Sequence, residues 1–289
     1  MIITTLEDKA SLNIRQKFLD SSLFNFKKIG FNWHDNAVFK LKSDLSEHEI
    51  FLGLTKEPLI FLNDLRLNKS EFNPDFLIFA SRHTSKMARP SFLVHTTGNW
   101  SDSADFGGSP FELSKTSALL HKAGFISLNE QKISTYLPEF SLDIEVTHHG
   151  TTSLEKPLIF MELGSSKKEW QIDIAGELLA KTIINTIYKF IQLKKENSQK
   201  IGLGFGGTHY APNFHRIIKT KNIAMSFICP KYYIQGLNEE LIKKMINNTS
   251  EKVDYFLIDW KGTNSADKNH LIPFLEDFNI PIKKTKDIE

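Results

Sequence analysis

The sequence predicts an α/β fold with helices packed on both faces of a mixed sheet, and three observations carry that reading. Short apolar runs alternate with longer segments of helical periodicity. Several runs are apolar on both faces, as strands inside a covered sheet are. Run after run ends in His, Glu, Asp or Gly, at the strand ends where α/β sheets collect ligands. In order, Ile2 to Thr4 reads as a strand, and Leu12, Phe18, Leu19 and Leu23 recur at helical spacing within Ala10 to Leu23. AVFKLK (37–42), FLIFAS (76–81) and SFLVHT (91–96) are strands, and a helix over Ser114 to Lys122 precedes the strands SLDIEV (141–146) and PLIFME (157–162). Ser166 and Glu169 have the spacing of a capping box ahead of Trp170, Ile174, Leu178, Ile183 and Ile187, so the longest helix extends toward Lys194. The strands KIGLGF (200–205), AMSFIC (224–229) and YFLIDW (255–260) alternate with helices over Asn213 to Lys219, Glu239 to Asn247 and Ala266 to Asp277. No repeat, low-complexity tract or linker interrupts the chain, so residues 1–289 read as a single α/β domain with insertions.

Composition narrows the function classes. Lys and Arg number 36 against 34 Asp and Glu, so the net field is too weak to draw in a polyanion, and a nucleic acid needs a local basic patch. Cys229 is the one cysteine, which excludes an intrachain disulfide and any multi-cysteine zinc or iron–sulfur site. The opening MIITTLEDKASLN lacks a basic segment followed by an apolar one, and no run approaches the roughly 18 apolar residues of a membrane span. A soluble, cytoplasmic protein without a membrane partner is expected.

The polar strand ends are the functional signal. FLIFAS runs into Arg82 and His83, SFLV into His95, LDIEV into His148 and His149, LIFM into Glu162, IGLGF into Gly206, Gly207, Thr208 and His209, and YFLI into Asp259. His34, His48, His121 and His270 lie outside any such constellation and read as packing or solvent-facing residues, and His215 stays outside the core set. In EVTHHG, continuing the strand puts His149 on the face of Glu145 and His148 on the other, one entering the site and one supporting it. Gly150 also permits a sharp turn that brings both rings to one cleft. The strand-period reading makes His149 the more catalytic and His148 the more structural.

GFGGTHYAP (204–212) places two glycines between a strand and a helix, leaving N–H groups for an anion or an oxyanion, although it lacks the ending of a P-loop and the third glycine of a dinucleotide fingerprint. HTTGNWSDSADFGGSP (95–110) has the length and polarity of a loop that covers a site. His, Asp and Glu together suit a zinc-like ion that polarises an ester carbonyl and activates water, although no HExxH motif is present. Ser165 and Ser166 lack a G-x-S-x-G elbow and read as helix caps, and Cys229 reads as a buried, inert thiol.

ASRHTS (80–85), LVHTTGNW (93–100), EVTHHGTTS (145–153), MELGSSKKEW (161–170) and GFGGTHYAP (204–212) together resemble, in order, the blocks of the archaeal and plant type of D-aminoacyl-tRNA deacylase. The resemblance implies hydrolysis of the ester between a D-amino acid and the 3′ end of tRNA. It also implies zinc as cofactor, with two ions, and a three-layer α/β/α sandwich of the phosphorylase/peptidyl-tRNA hydrolase type. The matched positions are His83, His95, His148, His149, Glu162 and His209, with Gly206 and Gly207 in the turn.

Taken together, His149, His209, Glu162 and Glu145 are the expected catalytic residues, His83, His95 and His148 the metal ligands, and Arg82, Gly206, Gly207 and Thr208 the substrate contacts. The tRNA acceptor stem is expected along Lys167, Lys168, Arg216, Lys219 and Lys221, on a monomeric enzyme. A zinc peptidase or amidohydrolase, and a tRNA-binding protein without catalysis, are the alternatives.

Overall fold

The computed structural model describes residues 1–42, 48–67, 72–131 and 136–288. Its strands are β1 (Ile2–Thr5), β2 (Phe26–Trp33), β3 (Asn36–Leu41), β4 (Phe51–Thr55), β5 (Leu77–Arg82), β6 (Ser91–His95), β7 (Ser141–Ile144), β8 (Leu158–Gly164), β9 (Lys200–Phe205), β10 (Ile223–Cys229), β11 (Tyr255–Ile258) and β12 (Ile282–Lys284). Its helices are α1 (Lys9–Leu19), α2 (Ala118–Glu130), α3 (Asp173–Glu196), α4 (Pro212–Thr220), α5 (Glu239–Asn247) and α6 (Ser265–Glu276). The strands divide into an eight-stranded sheet of order β2-β3-β4-β1-β5-β8-β6-β7 and a four-stranded sheet of order β10-β9-β11-β12.

The larger sheet is mixed. Strands β4, β1, β5 and β8 run parallel, β6 pairs antiparallel with β8, and β7 follows β6 in parallel. Alternation sorts its residues between two faces. Ile78, Ala80, Ile159, Met161 and Leu163 pack with Ile14, Phe125, Leu179 and Ile183 of the first three helices. On the other face, Leu77, Phe79, Leu158 and Phe160 meet Leu59, Leu62, Leu65 and Leu154. Helices therefore cover one face of this sheet and, among the described residues, connecting segments cover the other, which departs from the expectation of helices on both. The smaller, all-parallel sheet does have helices on both sides: Leu257 and Met225 pack with Phe214 and Ile217 of α4, whereas Phe256, Ile258 and Phe227 pack with Leu241 and Leu271 of α5 and α6.

Local chemistry sets several boundaries. Asp8 caps α1 by accepting from the N–H groups of Ala10 and Ser11 at 2.8 and 3.1 Å, and Ser117 caps α2 by accepting from Leu120 at 3.1 Å. Ser166 does bond Glu169, at 2.6 Å, but the pair opens a 3-10 turn at Glu169–Gln171, and α3 starts one turn later. Ser165 is not a cap: its hydroxyl donates to the Arg89 carbonyl at 2.5 Å.

Helix α2 joins the two sheets, packing on β6 and on β10. Its fully buried His121 faces the Met225 carbonyl through Nδ1 at 2.8 Å, so that nitrogen is the donor, and burial depresses the imidazole to about 4. Because the folded value lies below the unfolded one of about 6.5, the unfolded chain binds the proton first as acid is added. Stability is full above that value and falls until the pH reaches about 4. Between pH 7 and 4, wild type is expected to lose on the order of 3 kcal/mol more stability than His121→Gln, read from denaturant unfolding at each pH.

Candidate active site

The site stands on the helix-free face of the larger sheet. Glu162 of β8 pairs with Ser81 and Leu93 and shares its face with Phe160, two residues earlier, which lies opposite His95. His83 continues the ladder of β5, its N–H donating to the Leu163 carbonyl at 2.9 Å. Phe160 is the floor, its ring 5.5 Å from His95 and 5.2 Å from His149.

Two buried carboxylates organise the histidines. His83 Nδ1 stands 3.4 Å from Glu162 and 3.6 Å from Glu145, and His95 Nε2 stands 3.7 Å from Glu162. His209 Nε2 bonds Glu145 Oε1 at 2.7 Å, with His148 Nε2 4.0 Å from the other Glu145 oxygen. Burial alone would push both carboxyls up. The adjoining His209 holds Glu145 below its ordinary value instead, and His83 with His95 holds Glu162 far below. Burial opposes charging of His83 and His95, yet attraction to Glu162 raises both. His148 and His149 are kept neutral by burial and by the neighbouring His95, with His149 at about 4.

Both histidines of THHG enter one cluster. The rings of His148 and His149 lie 4.4 and 4.8 Å from that of His95 and 4.5 Å from each other. The strand-period expectation, which set them on opposite faces with only His149 directed at the chemistry, is corrected. Strand β7 ends at Ile144, and beyond it Val146 N–H donates to the His209 carbonyl and Thr147 N–H to that of Ile228. His149 then takes a left-handed conformation, φ +46°. The predicted covering loop clamps this turn: Gly98 N–H donates to the His149 carbonyl at 2.8 Å, Gly150 N–H to Phe106 at 3.0 Å, and Trp100 Nε1 to Thr147 at 2.7 Å.

Three imidazoles are anchored alike. The Nδ1 atoms of His95, His148 and His149 face the carbonyls of Thr96, Val146 and Gly150 at 3.1, 2.8 and 2.5 Å. A carbonyl only accepts, so each Nδ1 carries a proton and, in the neutral ring, each Nε2 keeps its lone pair. His95, His148 and His149 can bring ligand atoms within 4.8 Å of one another, as can Glu145, His148 and His209, and His83, Glu145 and Glu162. The Nε2 atoms of His83 and His95 and Oε2 of Glu145 are buried without a hydrogen-bond partner. Backbone-oriented imidazoles, two of them kept neutral, beside a carboxylate oxygen without a hydrogen-bond partner are a donor set that fits a divalent ion such as zinc.

Other expected contacts fall differently. Arg82 lies one position out of phase with Ser81 and His83, on the helix face; its guanidinium stacks 5.4 Å from the Trp170 ring centroid and donates to the Glu7 carbonyl, so it is not brought to the cluster. Gly206 and Gly207 adopt positive φ as a tight turn requires, but their N–H groups donate to the Cys229 and Gly262 carbonyls, so they are not free for an anion. Thr208 is exposed in that turn, its carbonyl accepting from Ala211. His215 pairs with Asp143 at 3.4 Å, outside the cluster. Sequence reasoning missed Tyr232, whose hydroxyl lies 3.4 Å from His209 Nδ1; the tyrosine pair in KYYIQ was its one signal.

A family model described as D-aminoacyl-tRNA deacylase matches residues 70–283. The D-aminoacyl-tRNA deacylase of Pyrococcus abyssi is 36% identical over 269 residues, covering 91% of each chain. That of Archaeoglobus fulgidus is 32% identical over 291 residues, covering 100% of this chain and 97% of its own. The crystal structure of AF0625, a conserved protein of unknown function, matches with a TM-score of 0.85 at 29% identity, covering 99% of this chain and 95% of its own.

The shared anchoring of the two adjacent histidines gives an expected symmetry. If both rings are ligands of one divalent ion, His148→Ala and His149→Ala should each weaken zinc binding by a similar factor of roughly 10–100, measured by competition with a chromogenic chelator. A loss confined to one variant would contradict a common ligand role.

Proposed function

The chain belongs to the D-aminoacyl-tRNA deacylase family, and we propose that its His–Glu cluster is where the ester between a D-amino acid and tRNA is hydrolysed, releasing both. The observation that carries this placement is the trio His95, His148 and His149, each with Nδ1 fixed on a backbone carbonyl beside two buried carboxylates. These three would hold a zinc ion, whose contribution when bound is to polarise the ester carbonyl and acidify a water molecule. A second ion would fall to His83, Glu145 and Glu162.

His209 is the proton carrier in this reading. Its Nε2–H donates to Glu145 Oε1 at 2.7 Å, which leaves Nδ1 as the basic nitrogen, directed toward Tyr232 and the opening. As water attacks the ester carbonyl, Nδ1 takes its proton, and Glu145 stabilises the imidazolium. The proton then passes to the ribose oxygen as the carbon–oxygen bond breaks, leaving a free D-amino acid and a tRNA with its terminal hydroxyl restored. Glu162 also holds His83 and His95 in place. Gly206 and Gly207 contribute the turn that presents Thr208 and His209. With tRNA as substrate we place the reaction in the cytoplasm; among the described residues no helix is long and apolar enough to cross a membrane.

Matched D- and L-tyrosyl-tRNA, with and without a chelator, test the reading. Release of D-tyrosine should exceed that of L-tyrosine and should stop on chelation. His209→Ala should lower kcat by roughly 10²–10⁴-fold with little change in affinity for uncharged tRNA. Equal release of both enantiomers, or a His209→Ala enzyme with unchanged kcat, would refute it.

A further inference from the structure

The smaller sheet carries a second polar feature along the edge from which His209 emerges. All four of its strands are parallel, so the loops after β10, β9, β11 and β12 leave by one edge in that spatial order. The loop after β9 presents His209, that after β11 presents Trp260, and β12 ends at Lys284. Lys268, in the first turn of α6, lies 4.6 Å from the Trp260 ring centroid, and Lys284 lies 4.3 Å from it. Two ammonium groups are thus gathered on one indole.

Neither ammonium has a carboxylate within ion-pairing distance among the described residues. Asp267, next to Lys268 in sequence, is buried and accepts from Gln235 Nε2 at 2.7 Å, and Asp259, next to Trp260, is buried and accepts from Gly262 N–H at 3.1 Å, while exposed Asp287 lies three residues after Lys284 and makes no ion pair with it among the described residues. The indole N–H groups of Trp33, Trp100 and Trp170 all donate to carbonyls, whereas that of Trp260 has no partner among the described residues. The arrangement is held in place by Lys268 Nζ donating to the Trp260 carbonyl at 3.2 Å and by Asn264 capping α6. Two unpaired cations beside an unpaired N–H donor form a site for an anion with several acceptor oxygens.

We infer that Lys268, Lys284 and the Trp260 N–H bind a backbone phosphate of the single-stranded 3′ end of tRNA, while its terminal ester lies at His209. Neighbouring strands are about 4.8 Å apart, so the site is one or two strands from the strand that presents His209. Exposed Lys231, in the loop after β10 on the other side of β9, adds a cation beside the turn that carries His209, its backbone N–H bonded to the Gly207 carbonyl at 3.1 Å. Cations and aromatic rings along one end of a sheet suit single-stranded nucleic acid. Tyr232, 54% exposed beside His209, offers a face for the terminal base. Of the cations expected from sequence to contact tRNA, Arg216 instead donates to the Thr285 carbonyl, and Lys219 and Lys221 lie at the far end of α4 from His209.

The inference rests on the deacylase reading, and the test separates them. Uncharged tRNA, intact or lacking its single-stranded 3′ nucleotides, is titrated against wild type, the Lys268→Ala/Lys284→Ala double variant and the corresponding double arginine variant across a salt series. The alanine variant should bind intact tRNA roughly tenfold more weakly, with a salt slope shallower by about 0.7, and its KM for D-tyrosyl-tRNA should rise while kcat holds. Arginine should retain the slope. Trimming the tRNA should weaken wild type and barely affect the alanine variant. Unchanged affinity and slope, equal losses on trimming, or equal losses in the alanine and arginine variants would overturn the phosphate site. Wild type that binds tRNA but releases no D-tyrosine would instead sink the deacylase reading.

Discussion

The compensation of two buried carboxylates is the constraint on which the site depends. Glu145 and Glu162 are only 1% and 3% exposed, and an unpaired ion in such a place costs several kcal/mol. Four imidazoles, those of His83, His95, His148 and His209, stand within 4.0 Å of them. The charge is shared unequally: His83 and His95 are driven toward the protonated form, while His148 and His149 stay neutral. Protons on the first pair and a divalent ion on the cluster are alternative ways of balancing the same negative charge.

This cluster also lies at the seam between the sheets. Val146 bonds the His209 carbonyl, Thr147 N–H the Ile228 carbonyl, and Ile228 N–H returns to the Thr147 hydroxyl at 3.0 Å. The segment carrying Glu145, His148 and His149 is thereby fixed to the smaller sheet, which supplies His209. The site needs both sheets because its residues come from β5, β6 and β8, from the chain after β7 and from the loop after β9.

Legibility in the sequence followed the range of the interactions. Strands with unbroken apolar runs, such as FLIFAS and AMSFIC, were readable because burial on both faces is a local pattern. The hairpin strand β2 was not, since FKKIGFNW is largely exposed between its ends, and the three-residue β12 is too short to stand out. Division into two sheets is decided by pairing between distant segments, which no local window contains. The histidines, Glu162 and Glu145 were found because polar residues at the ends of apolar runs are conspicuous. Their faces were misjudged where the ladder stopped: a period of two holds for Arg82, which it sends to the helix side, and lapses after Ile144, where β7 loses its partner. Tyr232 and the phosphate-facing lysines reach the edge through β-strand order alone.

Exposure within the cluster is graded, and the gradient gives the site a direction. The side chains of His95 and Glu145 have no solvent contact, whereas that of His148 is 25% exposed and that of His209 38%. Phe79 and Phe160 close the site from beneath, stacked 4.8 Å apart, and the clamped 95–110 loop holds the turn at His149. On the proposed reading, a substrate as large as tRNA brings its ester to the cluster from the side of His209, the most exposed ring of the cluster. That is also where a basic nitrogen must sit to take a proton from water and return one to the departing ribose oxygen. The same opening faces the edge of the smaller sheet, so the direction imposed by burial and the track of cations past Trp260 agree.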